Sequence, residues 1–171
     1  SLVGSEMCIR DSARPGSLLM ECVFVLQAAA VEKLQINRYL PPTPLRIVID
    51  ENGNEHSDTL SHDDIKKVQT LVDRATAGKI IQAKRDELAN MVKQAEQRAG
   101  LQTTDILKAA HAHSEQILHS EIDRLQALST INANIREDEI RYFQDQLEVL
   151  HRLLDAAVLR LDAIRVIVVT G

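Results

Sequence analysis

The stretch Ile140-Arg141-Tyr142-Phe143-Gln144-Asp145-Gln146-Leu147-Glu148-Val149-Leu150-His151-Arg152-Leu153-Leu154-Asp155 decides how the rest of the chain is read. Ile140, Phe143, Leu147, Leu150 and Leu154, continued by Ala157 and Leu161, recur in steps of three and four. On a helix those steps line up as one apolar seam, the pattern of a helix packed lengthwise against a partner. The seam predicts a helix near 135–161. Asn134 is placed as its cap, and Glu137, Asp138 and Glu139 complement the positive end of its dipole. A partner stands directly upstream: Ile81, Leu88, Met91, Val92, Ala95 and Ala99, then Ile106, Ala110, Ile117, Ile122, Leu125 and Leu128. That pattern predicts one long helix near 79–128, with Gly100 as its weak point. Ser129 to Asn134 is the reversal, so the two helices form an antiparallel hairpin.

Strand signals flank the hairpin. Leu18-Leu19-Met20-Glu21-Cys22-Val23-Phe24-Val25-Leu26 is rich in β-branched and other apolar residues, which predicts a strand near 18–27 buried over much of both faces. Glu32 to Tyr39 is more polar and reads as extended chain. Leu40-Pro41-Pro42-Thr43-Pro44 follows as a stiff connector, because each proline fixes φ and restricts its predecessor. Leu45 to Asp50 is the second strand, near 45–50, closed by a turn at Asn52-Gly53-Asn54. Ser61, with Asp64 three residues on, opens a helix near 61–77, and Gly78 marks its break. Val166-Ile167-Val168-Val169 predicts a last strand near 165–170. The fold class is therefore α+β: a small mixed or antiparallel β-sheet with a long antiparallel helical hairpin inserted before the C-terminal strand.

The 171 residues carry a formal net charge of −5. A mildly acidic chain is a poor free-standing nucleic-acid binder, because phosphate contacts dominate that affinity. Residues 1–12, Ser1 to Ser12, read as a non-native leader resembling the translation of a sequencing adapter, which leaves 13–171 as one domain. With Cys8 set aside, Cys22 is a lone cysteine in an apolar run and reads as a small core hydrophobe. Arg14, the run Leu18 to Leu26 and Ala28-Ala29-Ala30 superficially imitate a signal peptide. Glu21 inside the run argues against that, and the run is too short to span a membrane. A cytoplasmic location and no membrane partner are expected.

No catalytic, cofactor-binding or metal-binding residue is assigned. Gly78-Lys79 lies in a helical pattern and lacks the upstream glycines of a phosphate loop. His111, Glu115 and His119 share a helical face at metal-ligand spacing, but no second helix supplies an obvious ligand set. They read as a solvated stripe of His–Glu pairs, with His113 on another face. Glu121 and Asp123 read as surface charge, and Asp63 and Asp64 as helix-start charges. Arg136, Arg141, Arg152, Arg160 and Arg165 read as solvated faces paired with acids rather than a nucleic-acid surface. Phe24, Tyr39, Tyr142 and Phe143 are too few for a base-stacking platform.

Three stretches resemble one family. They are Arg38-Tyr39-Leu40-Pro41-Pro42-Thr43-Pro44-Leu45-Arg46, Asn132-Ala133-Asn134-Ile135-Arg136, and Arg160-Leu161-Asp162-Ala163-Ile164-Arg165-Val166-Ile167-Val168-Val169-Thr170. In order and spacing they are similar to the C-terminal domain of the bacterial RNA-polymerase-recycling ATPases, the Swi/Snf-type RapA family. The likeness runs from about Arg14 to Thr170 and differs at Ala133, where the family usually has proline. The resemblance implies a non-catalytic C-terminal domain of a transcription regulator that recycles RNA polymerase. ATP and Mg would belong to an upstream motor, and the hydrolase activity would be the parent's. Implied partners are RNA polymerase core, the upstream motor domains of the same parent, and DNA indirectly through that parent. The alternative is a stand-alone coiled-coil adaptor.

Overall fold

A computed structural model describes residues 16–169 apart from 30, 69–71 and 133–135. Three strands, β1 (Leu18–Gln27), β2 (Thr43–Asp50) and β3 (Val158–Val168), form one antiparallel sheet in the order β2-β1-β3. Four helices lie between β2 and β3 in the chain: α1 (His62–Val68), α2 (Arg74–Ala83), α3 (Arg85–Ser129) and α4 (Glu137–Asp155). The α+β architecture, with the helical hairpin inserted before the last strand, is the one expected. β1 sits in the middle of the sheet, and its first five residues are all buried. A run that is apolar apart from Glu21 suits a strand covered on both faces.

Several boundaries differ from expectation, each for a local reason. The helix expected near 61–77 is two. Ser61 does cap α1, its Oγ accepting from Asp64 N at 3.1 Å. A second cap then intervenes: the Asp73 carboxylate accepts from Ala75 N and Thr76 N, both at 3.0 Å, and starts α2. Gly78 is not a break but lies inside α2. The interruption falls at Lys84, and α3 continues through Gly100 to Ser129. One glycine costs a helix only about 1 kcal/mol, which a 45-residue helix absorbs.

Glu32–Tyr39 is not extended. It forms two 3₁₀ turns, Glu32–Leu34 and Ile36–Arg38, with Gln35 between them at a left-handed φ of 46°. Ile36 and Leu40 are thereby turned inward. β2 begins two residues before the expected 45, taking in Pro44. Proline is tolerated there because β2 is an edge strand of the sheet.

The largest correction lies after the apolar seam. α4 ends at Asp155, not 161, and β3 begins at Val158, not 165. Leu159, Leu161 and Ala163 alternate with Arg160 and Asp162, a period of two that suits a strand. Extended chain here also matches β3 to the length of β1, which no local signal required. Asn134, Ile135 and Ala133 lie outside the described residues, as do Thr170 and the leader 1–12. In the described chain Arg136 occupies the cap position of α4, without a side-chain cap bond. Glu137, Asp138 and Glu139 fill its first turn as expected.

The chain divides into two compact units. One comprises residues up to Phe24, Pro44–Gly100 and the chain from Leu161 onward. Its apolar centre includes Leu19, Val48, Leu60, Ile65 and Val169. The other comprises Val25–Thr43 and Leu101–Arg160. There Leu26, Ile36 and Leu40 pack with Ala110 and Leu118 of α3 and Leu150 and Leu154 of α4. Three of the seam positions, Phe143, Leu147 and Ala157, pack against this cluster, whereas Leu161 is exposed on β3.

Candidate functional site

The first unit is organised around one buried carboxylate. Glu21 stands on the central strand with 3 % of its side chain exposed. A charge taken out of water must be paired, or the strand will not fold around it. Arg46 Nε on β2 donates to Glu21 Oε1 at 2.5 Å, and His62 Nδ1 at the start of α1 lies 3.1 Å from the same oxygen. Arg165 Nη1 on β3 stands 3.4 Å from Oε2. Burial pushes the Glu21 carboxyl up, but the hydrogen bonds from Arg46 and His62 and the charges of Arg46 and Arg165 outweigh it. The net direction is below the usual glutamate range. Glu21 therefore ties all three strands and α1 together as an ion cluster.

A second buried carboxylate, Asp50, closes β2. Its Oδ1 accepts from Asn52 N at 2.9 Å and Asn54 N at 2.8 Å. Its Oδ2 accepts from Asn54 Nδ2 at 2.9 Å and lies 3.2 Å from His56 Nε2. Burial raises this carboxyl, and the bonds from Asn54, His56 and Asn52 bring it below the ordinary aspartate value. Gly53 takes φ 82° in the turn, as the Asn52-Gly53-Asn54 reading requires. Arg98 clamps the turn, donating through Nη1 to Glu55 Oε2 at 2.9 Å and through Nη2 to the Gly53 carbonyl.

Cys22 is completely buried, and burial, reinforced by the Glu21 charge, pushes its thiol up to about 11. At neutral pH it is a protonated core group with no nucleophilic character. Iodoacetamide at pH 8 is therefore expected to leave Cys22 unlabelled in the folded chain and to label it after urea unfolding. Labelling of the folded chain at the rate of free cysteine, located by mass spectrometry, would contradict that assignment.

In the second unit, the face carrying His111 and Glu115 turns toward α4. His111 Nε2 lies 2.9 Å from Asp155 Oδ1, and Glu115 Oε1 lies 3.7 Å from His151 Nε2. The rings of His111 and His151 meet edge to face at 4.8 Å. The expected His–Glu pairing along one helix is thus replaced by cross-hairpin pairs. The cause is the antiparallel course: His111/Glu115 and His151/Asp155 are each one turn apart, so His meets carboxylate at both levels. His119 is exposed, and His113 sits edge-on to Tyr39 at 5.8 Å. Among the described residues, no group of three such side chains converges well enough to hold a metal ion.

The remaining candidates have ordinary roles. Gly78 and Lys79 are in the body of α2, where backbone N–H groups are committed to the helix, so they form no triphosphate cradle. Asp64 bonds Ser61, and Glu121 pairs with Arg124 one turn on. Arg152 lies 3.6 Å from Glu148, and Arg165 is drawn to Glu21. Phe24 is buried, whereas Tyr142 is exposed and contacts Phe143 edge to face. His151, Asp155, His56 and His62 escaped the sequence reading. His151 and Asp155 repeat the spacing of His111 and Glu115, a signal that pairs them once the hairpin register is known.

A model of the RNA polymerase recycling family, C-terminal part, matches residues 4–169. The chain is 35 % identical over 163 residues to the RNA polymerase-associated protein RapA of Erwinia tasmaniensis. That alignment covers 95 % of this chain but 17 % of the relative, so the chain spans about a sixth of the relative's length. No helix among the described residues is long and apolar enough to cross a membrane.

Proposed function

This chain belongs to the RNA polymerase recycling family, as its C-terminal part, and from that membership we propose that it serves an RNA-polymerase-associated, RapA-like protein as a non-catalytic interaction domain. In this reading ATP and Mg act in the motor of the longer parent, recycling of polymerase is the parent's activity, and DNA is met through the parent. The location is the cytoplasm, where transcription takes place.

The observation that carries the reading is how the charged groups are used. Glu21, His111 and His151 are each turned to a partner on another element of the fold, and Asp50 to the turn that follows its own strand. A catalytic group needs an open coordination or proton-transfer position facing a substrate. Groups spent on bracing strands and helices support a scaffold whose outer faces make the contacts.

The test is retention of purified RNA polymerase core on the immobilised 171-residue chain, beside the same chain joined to the preceding part of a full-length relative. Retention by the chain alone is expected if the domain contacts polymerase directly. Retention only by the longer protein would reassign the domain to bracing the motor. Retention by neither would overturn the polymerase reading in favour of a coiled-coil adaptor.

A further inference from the structure

The loop that carries the chain out of β2 holds a reactive pair. Of the asparagines in the chain, only Asn52 is followed by glycine. Asparagine is a thermolabile residue, and a glycine after it leaves the next backbone nitrogen unshielded by any side chain. A single ring closure joins that nitrogen to the Asn52 carboxamide carbon. Asn52 is exposed, and among the described residues no hydrogen bond holds its side-chain amide. The reaction consumes only water, so its rate is set by what keeps Gly53 N away from Asn52 Cγ.

In the folded chain Gly53 N is committed. It donates to the Asp50 carbonyl at 3.0 Å, and Asp50 N donates to the Asn54 carbonyl at 3.0 Å, closing the loop in both directions. Arg98 of α3 donates to the Gly53 carbonyl and, at 2.9 Å, to Glu55 Oε2. The loop is pressed against the same helix: a Cβ added at Gly53 would lie 2.5 Å from Gln94 Oε1. An amide nitrogen that is donating a hydrogen bond keeps its proton and does not attack. Conversion therefore waits for local opening of the loop, and the free energy of that opening sets the rate.

We propose that Asn52-Gly53 is a self-modification site gated by Arg98, which records in the covalent chain the time its loop spends open. In the open loop Gly53 N gives its proton to hydroxide and attacks Asn52 Cγ. A nitrogen–carbon bond forms, the side-chain carbon–nitrogen bond breaks, and ammonia leaves with a proton from water. Water then opens the succinimide at either carbonyl, giving aspartate or isoaspartate at position 52. Both products add a negative charge beside Asp50, Glu51 and Glu55. Isoaspartate also lengthens the backbone by a carbon. Asp50 Oδ1 accepts from the N–H groups of Asn52 and Asn54 together, at 2.9 and 2.8 Å, and a lengthened loop no longer presents both. The Glu55–Ile49 bridge and the bond from His56 N to Val48 O then lose their anchor, and the loop does not reclose.

Incubation of the 171-residue chain at pH 8 tests this, with peptide mass spectrometry following the amide-to-acid change at each asparagine. The same chain in urea gives the ungated rate. Conversion at Asn52 is expected to lead every other asparagine in urea and to be at least about tenfold slower in the folded chain. Arg98→Ala, shown to be folded by far-UV circular dichroism, should speed the folded-state conversion at least about fivefold by removing a charged hydrogen bond from the Gly53 carbonyl. Hydrogen exchange of the Gly53 amide in the unaltered chain reads the same gate without a substitution, and protection is expected. Chain enriched in isoaspartate should unfold at lower urea than fresh chain. Equal rates in folded and urea-unfolded chain, an unprotected Gly53 amide, or a folded Arg98→Ala that converts no faster would each overturn the gate. Failure of Asn52 to lead in urea would overturn the site itself, and equal unfolding midpoints would overturn the loss of the loop.

Discussion

Replacing Glu21 by alanine is expected to lower the unfolding free energy by about 3–5 kcal/mol, the usual cost of stranding buried charges by deleting their partner. Urea denaturation at pH 7, followed by far-UV circular dichroism, measures it. Arg46 and Arg165 converge on this one carboxylate, so its loss leaves two mutually repelling guanidinium groups around the central strand and His62 without its partner. Glu21→Gln retains an acceptor for Arg46 and should cost less than alanine. The pH dependence has a definite sign. Although burial opposes ionisation, the bonds from Arg46 and His62 hold the folded-state carboxyl below its ordinary value. Its contribution is thus complete above the unfolded glutamate pKa, about 4.3, and is lost as pH falls through the lower folded value. The stability gap between the native chain and Glu21→Gln should accordingly narrow on acidification below that point. A cost under about 1 kcal/mol for the alanine variant, the range of surface pairs, would show that the ion cluster holds nothing together.

Leu154→Ala should destabilise the second unit by about 2–5 kcal/mol, through lost transfer energy and the cavity left behind. Leu154 is completely buried where α4 meets α3, the 3₁₀ turns and the end of β1. Leu101→Ala supplies the contrast: that side chain is 75 % exposed, and its truncation should change stability by no more than about 0.5 kcal/mol. Thermal unfolding of the two variants side by side is sufficient. Equal shifts would mean that the seam of α4 does not bury Leu154.

Much of the architecture was legible because it is written in short-range patterns. The three-and-four spacing of Ile140 to Leu154, the apolar run of β1, the Ser61 cap and the Asn52-Gly53-Asn54 turn each act over a few residues. Where two local patterns overlap, the reading slipped. Ala157 and Leu161 continue the helical seam, yet Leu159, Leu161 and Ala163 also alternate as a strand. Gly78 and Gly100 look like breaks on propensity, but the Asp73 cap and Lys84 mark the interruptions. The stretch Glu32–Tyr39 lacks periodicity, so nothing in it announced the left-handed Gln35 that turns Ile36 inward.

The site residues divide along the same line. Glu21 was visible in the sequence only as a charge inside an apolar strand, and its role as the centre of an ion cluster was not read from it. Which partners it received depended on strand order: Arg46, His62 and Arg165 are 25, 41 and 144 positions away in the chain. Likewise His111 and Glu115 were visible as one helical face, but their partners were set by the hairpin register that brings His151 and Asp155 opposite. Local sequence specifies caps, turns and apolar faces because their energies are settled within a turn or two of backbone. Pairings across strands and helices are settled by what the whole core buries, and only the folded chain places those residues within reach of one another.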